Sequence, residues 1–322
     1  MSNNTQRNLK VVLLRHTPNP EEAIALGAKL CYSKAQIDDL RLKVEAKDQT
    51  TFIEKLMNMG HESVLEHATF TFGIEGVSRV LLAQITRHRI GASFSVQSQR
   101  YVSYKEGFGY IIPPAIEKLG PRYIEQFQKQ MATLQKWYEE WQQLLGDAGE
   151  KSNEDARFIL PNATETRMLV TMNVRELRHF FQLRMCSRAQ WEIRALATEM
   201  HRQCMIIAPA LFADAGPACL RGKCPEGEKT CGRAAEIRAE REAFVQTLKE
   251  HQPTTVEEMR QIKTGDIFFL GDKAHLASTD AHPSGDASYT GYIVYDESGN
   301  AWFEEDFAGA AVPEREGETV RD

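Results

Sequence analysis

Arg87, His88 and Arg89, followed after eight residues by Ser98-Gln99-Arg100-Tyr101, place three guanidiniums, an imidazole and a hydroxyl in one short stretch. Planar guanidinium forks grip phosphates and electron-rich ring oxygens bidentately, so the stretch predicts a small anionic ligand, a nucleotide phosphate or a cofactor ring. A second cluster lies downstream. Leu177, Phe180 and Phe181 form the apolar stripe of a helix starting near Val174, and Arg184 falls on that stripe. A guanidinium there needs a partner, either a glutamate such as Glu154 or Glu192 or an oxygen of a bound ligand, and spacing leaves both open. Arg175 and His179 share another face at i and i+4, and Arg188 lies one turn beyond Arg184.

The basic stretch needs an element to hold it. Val77, Val80, Leu81, Gln84, Ile85 and His88 recur at helical spacing, giving a stripe that begins apolar and ends with an amide and an imidazole. A buried amide without a hydrogen bond costs about 1–3 kcal/mol, so Gln84 calls for neighbouring backbone or a ligand. His88 reads as a core histidine bonded to a carbonyl or as part of an anion site, and its arginine neighbours favour the second. A solvated, salt-bridged patch is the remaining reading of the cluster.

Further out, Leu9 to Leu14 predicts an opening strand, and Glu21 to Cys31 and Thr50 to Met59 predict helices, the second ended by Gly60. His67 to Ile74 alternates with the period of a half-buried strand, and Met168 to Met172 predicts another. From Pro121 to Leu145 a long amphipathic helix carries Tyr123, Phe127, Met131, Leu134, Tyr138, Trp141 and Leu145 on one stripe. The fold class is α+β, a helix-rich mixed core without the βαβ alternation of a doubly wound sheet. Ala234 to Lys249 is a charged helix closely followed by Pro253, and β-like runs follow at 266–270, 290–295 and 301–303. The expected organisation is a catalytic domain over 1–235 that includes a cysteine-rich loop at 204–231. A charged helical linker at 236–252 and a small β-rich module at 253–322 complete it.

With 322 residues, 42% hydrophobic and 26% charged, the chain can bury a sizeable core. Its net charge of -6 argues against a broad nucleic-acid groove, so the basic residues act locally. The first residues resemble neither a signal peptide nor a membrane span, which points to the cytoplasm. Six cysteines in a chain this long do not form a secreted disulfide framework. Cys204, Cys219, Cys224 and Cys231 could offer four soft ligands but lack C-x-x-C pairs, so no metal is assigned, and free thiols or a redox-sensitive loop are the favoured readings.

Gly60-His61-Glu62-Ser63, Gln84 three positions before Arg87-His88-Arg89, and Ser98-Gln99-Arg100-Tyr101 resemble the successive signatures of the flavin-dependent thymidylate synthases. Asp155-Ala156-Arg157, Asn173-Val174-Arg175, Leu183-Arg184 and the run from Ala189 to Ile193 resemble the family's later blocks, so the likeness covers residues 10–210. It implies FAD as bound cofactor, dUMP as methyl acceptor, 5,10-methylenetetrahydrofolate as carbon donor, NADPH as reductant, and a homotetramer whose pockets are shared between subunits. The resemblance implies dUMP contacts from Gln84, Arg87, Gln97, Ser98, Gln99, Arg100, Arg157 and Arg184, with Ser98 and Arg184 at the chemistry. For FAD it implies His61, Ser63, Arg87, His88, Arg89, Ile90, Asn173, Arg175, His179, Leu183 and Arg188. Ser98 is expected to orient the nucleotide, since serine attack needs a positioned base and none is apparent. Departures from the family pattern are an extra residue near Gly91, Val96 where Glu or Gln is common, His179 where Asn is common and Arg188 where His is common. A non-catalytic nucleotide-binding regulatory protein is the alternative.

Overall fold

Alternation of aromatic and small residues after His67 builds the central strand of a four-stranded antiparallel sheet. In the computed structural model, which describes residues 5–249 and the backbone of five short strands beyond them, β1 (Lys10–His16), β2 (Thr69–Ser78), β3 (Ala92–Val96) and β4 (Glu165–Asn173) lie in the order β1-β2-β4-β3. Val11, Leu13, Phe70, Phe72, Ile74, Met168, Val170 and Met172 are buried on its inner face. Between β1 and β2 come α1 (Pro20–Leu30), α2 (Ile37–Glu45) and α3 (Thr50–Asn58), and α4 (Arg79–Ile85) joins β2 to β3. After β3 the chain forms α5 (Pro114–Glu117), α6 (Pro121–Leu144) and α7 (Glu150–Ala156). α8 (Val174–Arg184), α9 (Trp191–Ile207), α10 (Pro209–Phe212) and α11 (Ala234–Lys249) follow β4.

Helix α8 starts where its sequence demands. The Asn173 side chain caps it by accepting from the Glu176 N–H at 2.9 Å. Phe180 and Phe181 are fully buried, and Phe181 packs edge-on against Phe212 at 5.9 Å. Each buried Phe contributes about 1.5–3 kcal/mol, so turning α8 out of register would forfeit both rings, and the positions of Glu176, Arg178 and Arg184 are fixed with them.

Two expectations are corrected. The stripe from Val77 to His88 is not one helix: β2 runs on to Ser78, and only Arg79–Ile85 is helical. The cause is local. Gly76, at φ +69, sits where a Cβ would run into the Asn8 carbonyl, and the β2–β4 register shifts between Ile74 and Val77. Ser78 then caps α4 through its side chain while giving its own N–H and O–H to Glu192, both at 2.6 Å.

The buried face of α6 keeps only the middle of the apolar stripe: Met131 and Tyr138 are buried with Phe127 and Leu134 packed beside them, Tyr123, Trp141 and Leu145 at the ends are exposed, and Gln135 and Gln142 join the buried face. The glutamines are buried because they have partners: Gln135 Nε2 donates to the Tyr104 carbonyl at 2.7 Å, and Gln142 Nε2 to Tyr138 Oη at 2.9 Å. With Asn153 Nδ2 donating to the Arg100 carbonyl at 3.0 Å, they clamp the turn that carries Ser98 and Arg100.

By internal contacts the chain divides at Lys249, so α11 falls with Met1–Lys249 and the second unit is Glu250–Asp322. In that second unit, β5 (Ile267–Leu270) pairs with β6 (Lys273–Leu276). β8 (Thr290–Tyr295) pairs with both β7 (His282–Pro283) and β9 (Ala301–Glu305).

Candidate active site

The turn after α4 and the exposed side of α8 enclose a cleft of about 780 Å³. Arg87, His88, Arg89, Ile90, Asn173, Arg175, His179, Leu183 and Arg184 all line it. Gly91, at φ +71, lets the chain turn there, because a Cβ would strike the Asn173 side chain. Its carbonyl accepts from the Asn173 N–H at 2.9 Å, which ties the turn to the cap of α8.

His88 is buried and both of its ring nitrogens are used. Nε2 accepts from Arg184 Nε at 3.0 Å, so Nδ1 carries the proton and donates to Glu176 Oε1 at 2.7 Å. The chain Glu176–His88–Arg184 therefore aims one guanidinium. Burial, and then the nearby charge of Arg87, hold Arg184 below its ordinary pKa. Among the described residues no carboxylate pairs with Arg87, Arg89 or Arg184, whereas Arg175 pairs with Glu66 at 2.6 Å and Arg178 with Asp214 at 2.7 Å. Three cations without counterions at one cleft is an arrangement that an anion stabilises. Neither glutamate expected for Arg184 is its partner, since Glu192 holds Ser78 and Glu154 holds Arg100.

The amide of Gln84 needs no ligand, because Gln84 is only half-buried and donates to the Val80 carbonyl at 3.4 Å. His61 and Ser63 line an adjoining hollow of about 450 Å³ that shares Glu62 and Arg175 with the main cleft. Arg188 turns away, to Glu226 at 2.9 Å and the Lys229 carbonyl. Gln97, Ser98, Gln99, Arg100 and Arg157 form a second group that does not line the cleft. The Ser98 hydroxyl accepts the N–H groups of Arg100 at 3.1 Å and Tyr101 at 3.4 Å, which leaves its own proton free to donate. Tyr104 Oη donates to Gln97 Oε1 at 3.5 Å, and Arg157 Nε donates to the Glu154 carbonyl at 3.0 Å. The buried Gln99 Nε2 lacks a partner in the described chain. Arg100 is held by Glu150 at 2.6 Å and Glu154 at 3.1 Å.

Sequence reasoning missed Glu176, Arg178, Asp214 and Arg221. Arg178 falls on the α8 stripe four residues after Val174, a signal in plain view, and its guanidinium forks onto Asp214 at 2.7 and 2.9 Å. Burial raises the Asp214 carboxyl, but the hydrogen bonds and charge of Arg178, with Arg221, bring it below its ordinary value. The pair is an internal brace, not a free anion site.

An antiparallel sheet flanked by helices, with a cation-lined cleft at one helix start, defines a class, and a family model described as thymidylate synthase complementing protein matches residues 12–210. The flavin-dependent thymidylate synthase of Geobacter sulfurreducens is 54% identical over 231 residues, covering 71% of this chain and 97% of that protein. The flavin-dependent thymidylate synthase of Clostridium tetani is 46% identical over 240 residues, covering 71% and 96%. Among solved structures, the UMP/dUMP methylase PolB from Streptomyces cacaoi, bound with 5-Br dUMP, has a TM-score of 0.51 at 24% identity. It covers 65% of this chain and 95% of that one, and it speaks to the fold alone. The chain belongs to the flavin-dependent thymidylate synthase family.

Proposed function

We propose that the chain converts dUMP to dTMP by FAD-dependent reductive methylation, taking the carbon from 5,10-methylenetetrahydrofolate and the electrons from NADPH, and releasing tetrahydrofolate. The observation that carries this reading is the trio Arg87, Arg89 and Arg184, which line one cleft without carboxylate partners among the described residues. The cleft's size and its cations suit a flavin with its diphosphate, and FAD when bound supplies the hydride chemistry that no side chain can. Arg87, His88, Arg89, Ile90, Asn173, Arg175, His179 and Leu183 would hold it, with His61 and Ser63 on the adjoining folate side.

Arg184, steered by His88, neutralises charge that develops on a uracil oxygen as C5 is methylated. Arg87 and Gln84 reach the same nucleotide. Ser98 donates its free proton to dUMP and, lacking a base beside it, orients rather than attacks. Gln97, Gln99, Arg100 and Arg157 complete the nucleotide's surroundings from the second group of residues, and Gln99 Nε2 then gains the acceptor it lacks.

Because the two groups lie apart within one chain, the reading includes a homotetramer whose pockets draw on more than one copy. The outer face of the sheet supports self-association: Leu14 and Leu169 are 44% and 42% exposed around a hollow of about 410 Å³. We assign catalysis to 1–235 and an accessory role to 253–322, and we place the protein in the cytoplasm, where nucleotide pools lie. No helix of the described residues is long and apolar enough to cross a membrane.

Purified protein should bind FAD and form dTMP only when dUMP, methylenetetrahydrofolate and NADPH are all present, with release of the C5 hydrogen. Flavin-loaded protein that yields no dTMP would overturn the proposal in favour of a nucleotide-binding regulator.

A further inference from the structure

One cleft-lining arginine lies farther along the chain than any site residue the resemblance implies. Arg221 follows the 3-10 turn Ala218–Leu220, between α10 and α11, and brings the arginines lining the cleft to six against three glutamates. Its side chain is 40% exposed, yet α8, the turn after α10 and α11 all hold it. Nη2 donates to Gln182 Oε1 of α8 at 2.8 Å, and Nη1 stands 3.9 Å from Asp214 Oδ2. From α11, Arg238 donates to the carbonyls of Cys219 at 2.8 Å and Gly222 at 2.7 Å, which grips the backbone on either side of Arg221. Arg221 is thus held without being neutralised. Gln182 is uncharged, and Asp214 is already taken by the fork of Arg178 at 2.7 and 2.9 Å. At 3.9 Å and near the surface, Asp214 offsets the Arg221 charge only in part. Among the described residues the guanidinium has no other side-chain partner, so several of its five N–H groups are open to a ligand.

The same stretch of chain withdraws another arginine. Arg188, between α8 and α9, stands where the resemblance implies a cofactor contact, but its guanidinium turns to Glu226 at 2.9 Å and to the Lys229 carbonyl at 3.4 Å. Glu226 and Lys229 lie a few residues after Arg221. One loop therefore removes Arg188 from the cleft and delivers Arg221 to it, and of the two only Arg221 lines the cleft. Gln182 ties this exchange to the cofactor side of the site. It shares a face of α8 with His179, three residues before it, and both line the cleft.

We propose that Arg221 is a further cofactor-binding residue, whose guanidinium meets the diphosphate of FAD in the role that Arg188 gives up. The inference rests on the FAD-dependent activity proposed above and adds one residue to that site. A planar fork with open N–H groups suits paired phosphate oxygens, and a charge left partly uncompensated at the cleft gains most from an anion that arrives already charged. The phosphate of dUMP is the competing partner. Arg221 is set apart from it by Gln182 and His179, which place it beside residues implied to touch FAD.

The flavin-stripped full chain is titrated with FAD, followed by quenching of flavin fluorescence, and the FAD-saturated chain with dUMP, followed by calorimetry. Arg221→Ala should weaken FAD binding about 10-fold or more, as loss of a hydrogen bond to a charged group does, with dUMP affinity and melting temperature unchanged. Arg221→Lys keeps the charge without the fork and should fall between the two. Raising salt should narrow the gap between parent and Arg221→Ala. Equal FAD affinity in parent and Arg221→Ala overturns the inference, and so does a loss that falls on dUMP instead. A mere brace between α8 and the loop would give a third pattern: a lower melting temperature, FAD and dUMP weakened alike, and Arg221→Lys no better than Arg221→Ala. That pattern also overturns the inference. A parent chain that binds no FAD brings down the proposed activity and this inference together, so the two failures are told apart.

Discussion

His88 accepts from Arg184 on one nitrogen and donates to Glu176 on the other, so a neutral imidazole with its proton on Nδ1 is built into the geometry. An imidazolium could not accept the bond from Arg184 and would leave two cations in contact. Removing Glu176 therefore acts through tautomer and tilt and not through lost charge alone. Glu176→Gln retains an acceptor for Nδ1–H and should keep most activity, whereas Glu176→Ala should lower kcat with FAD still bound; steady-state kinetics beside the flavin spectrum separates the two. Equal losses in both variants would show that the carboxylate's charge, not the acceptor, matters. For Arg184 the expected loss is larger and specific. Hydrogen bonds to charged groups contribute about 1.5–3 kcal/mol, so Arg184→Ala should weaken dUMP binding about 10- to 150-fold. FAD affinity should change far less. Titration of both ligands checks this, and parallel losses would contradict the division of roles.

At the scale of elements, α9 is the strut on which the site rests, and its two ends respond to different chemistry. Its first turn holds Ser78 through Glu192, a carboxyl raised by burial and opposed by the Ser78 hydrogen bonds. Glu192→Ala would strip an acceptor from a buried N–H and a hydroxyl and should cost roughly 2–3 kcal/mol, measured by urea denaturation. Farther along, His201 Nε2 donates to the Phe212 carbonyl at 3.1 Å, and its ring packs edge-on against Phe181 at 5.1 Å. Burial lowers its pKa from 6.5 to about 4. Protons then bind the unfolded chain more readily: the stabilisation is complete above pH 6.5 and fades as pH falls through about 4. A shift of this size is worth up to roughly 3 kcal/mol. The melting temperature should drop between neutral pH and mild acid, and His201→Gln should flatten that drop. An unchanged slope in the variant would assign the effect elsewhere. Helices and strands with strong apolar periods, such as β2, α1 and α8, were legible from the sequence because burial alone sets them. The short α4 and the glutamines on the buried face of α6 were not, since a glycine bulge and amide hydrogen bonds between distant residues decided them. The same holds within the cleft: the arginines announced themselves by type, while Glu176 and Asp214 acquire meaning only from partners far along the chain.

On the scale of the whole molecule, one sheet face is covered by α8 and α9 while the other leaves Val12, Leu14, Gly73 and Leu169 around a hollow rimmed by Lys10, Glu75 and Arg167. An antiparallel sheet with a solvated face ordinarily alternates to polar residues there, so the apolar centre fits contact with another copy. Leu169→Arg should shift sedimentation to a smaller species with far-UV circular dichroism unchanged, and a variant that sediments like the parent would remove this face from the assembly. The separation of residues within the chain makes a sharper demand. Arg87 and Arg184 line the cleft, whereas Ser98, Arg100 and Arg157 stand on a turn clamped by α6 and α7. If one pocket needs both groups, they must come from different copies. Arg184→Ala and Arg157→Ala chains, each inactive alone, would then complement when unfolded together and reassembled. With random mixing, a site needs an intact Arg184 from one copy and an intact Arg157 from another, so about one quarter of the sites recover. Were both arginines supplied by a single chain, every site would retain one defect and mixing would restore nothing.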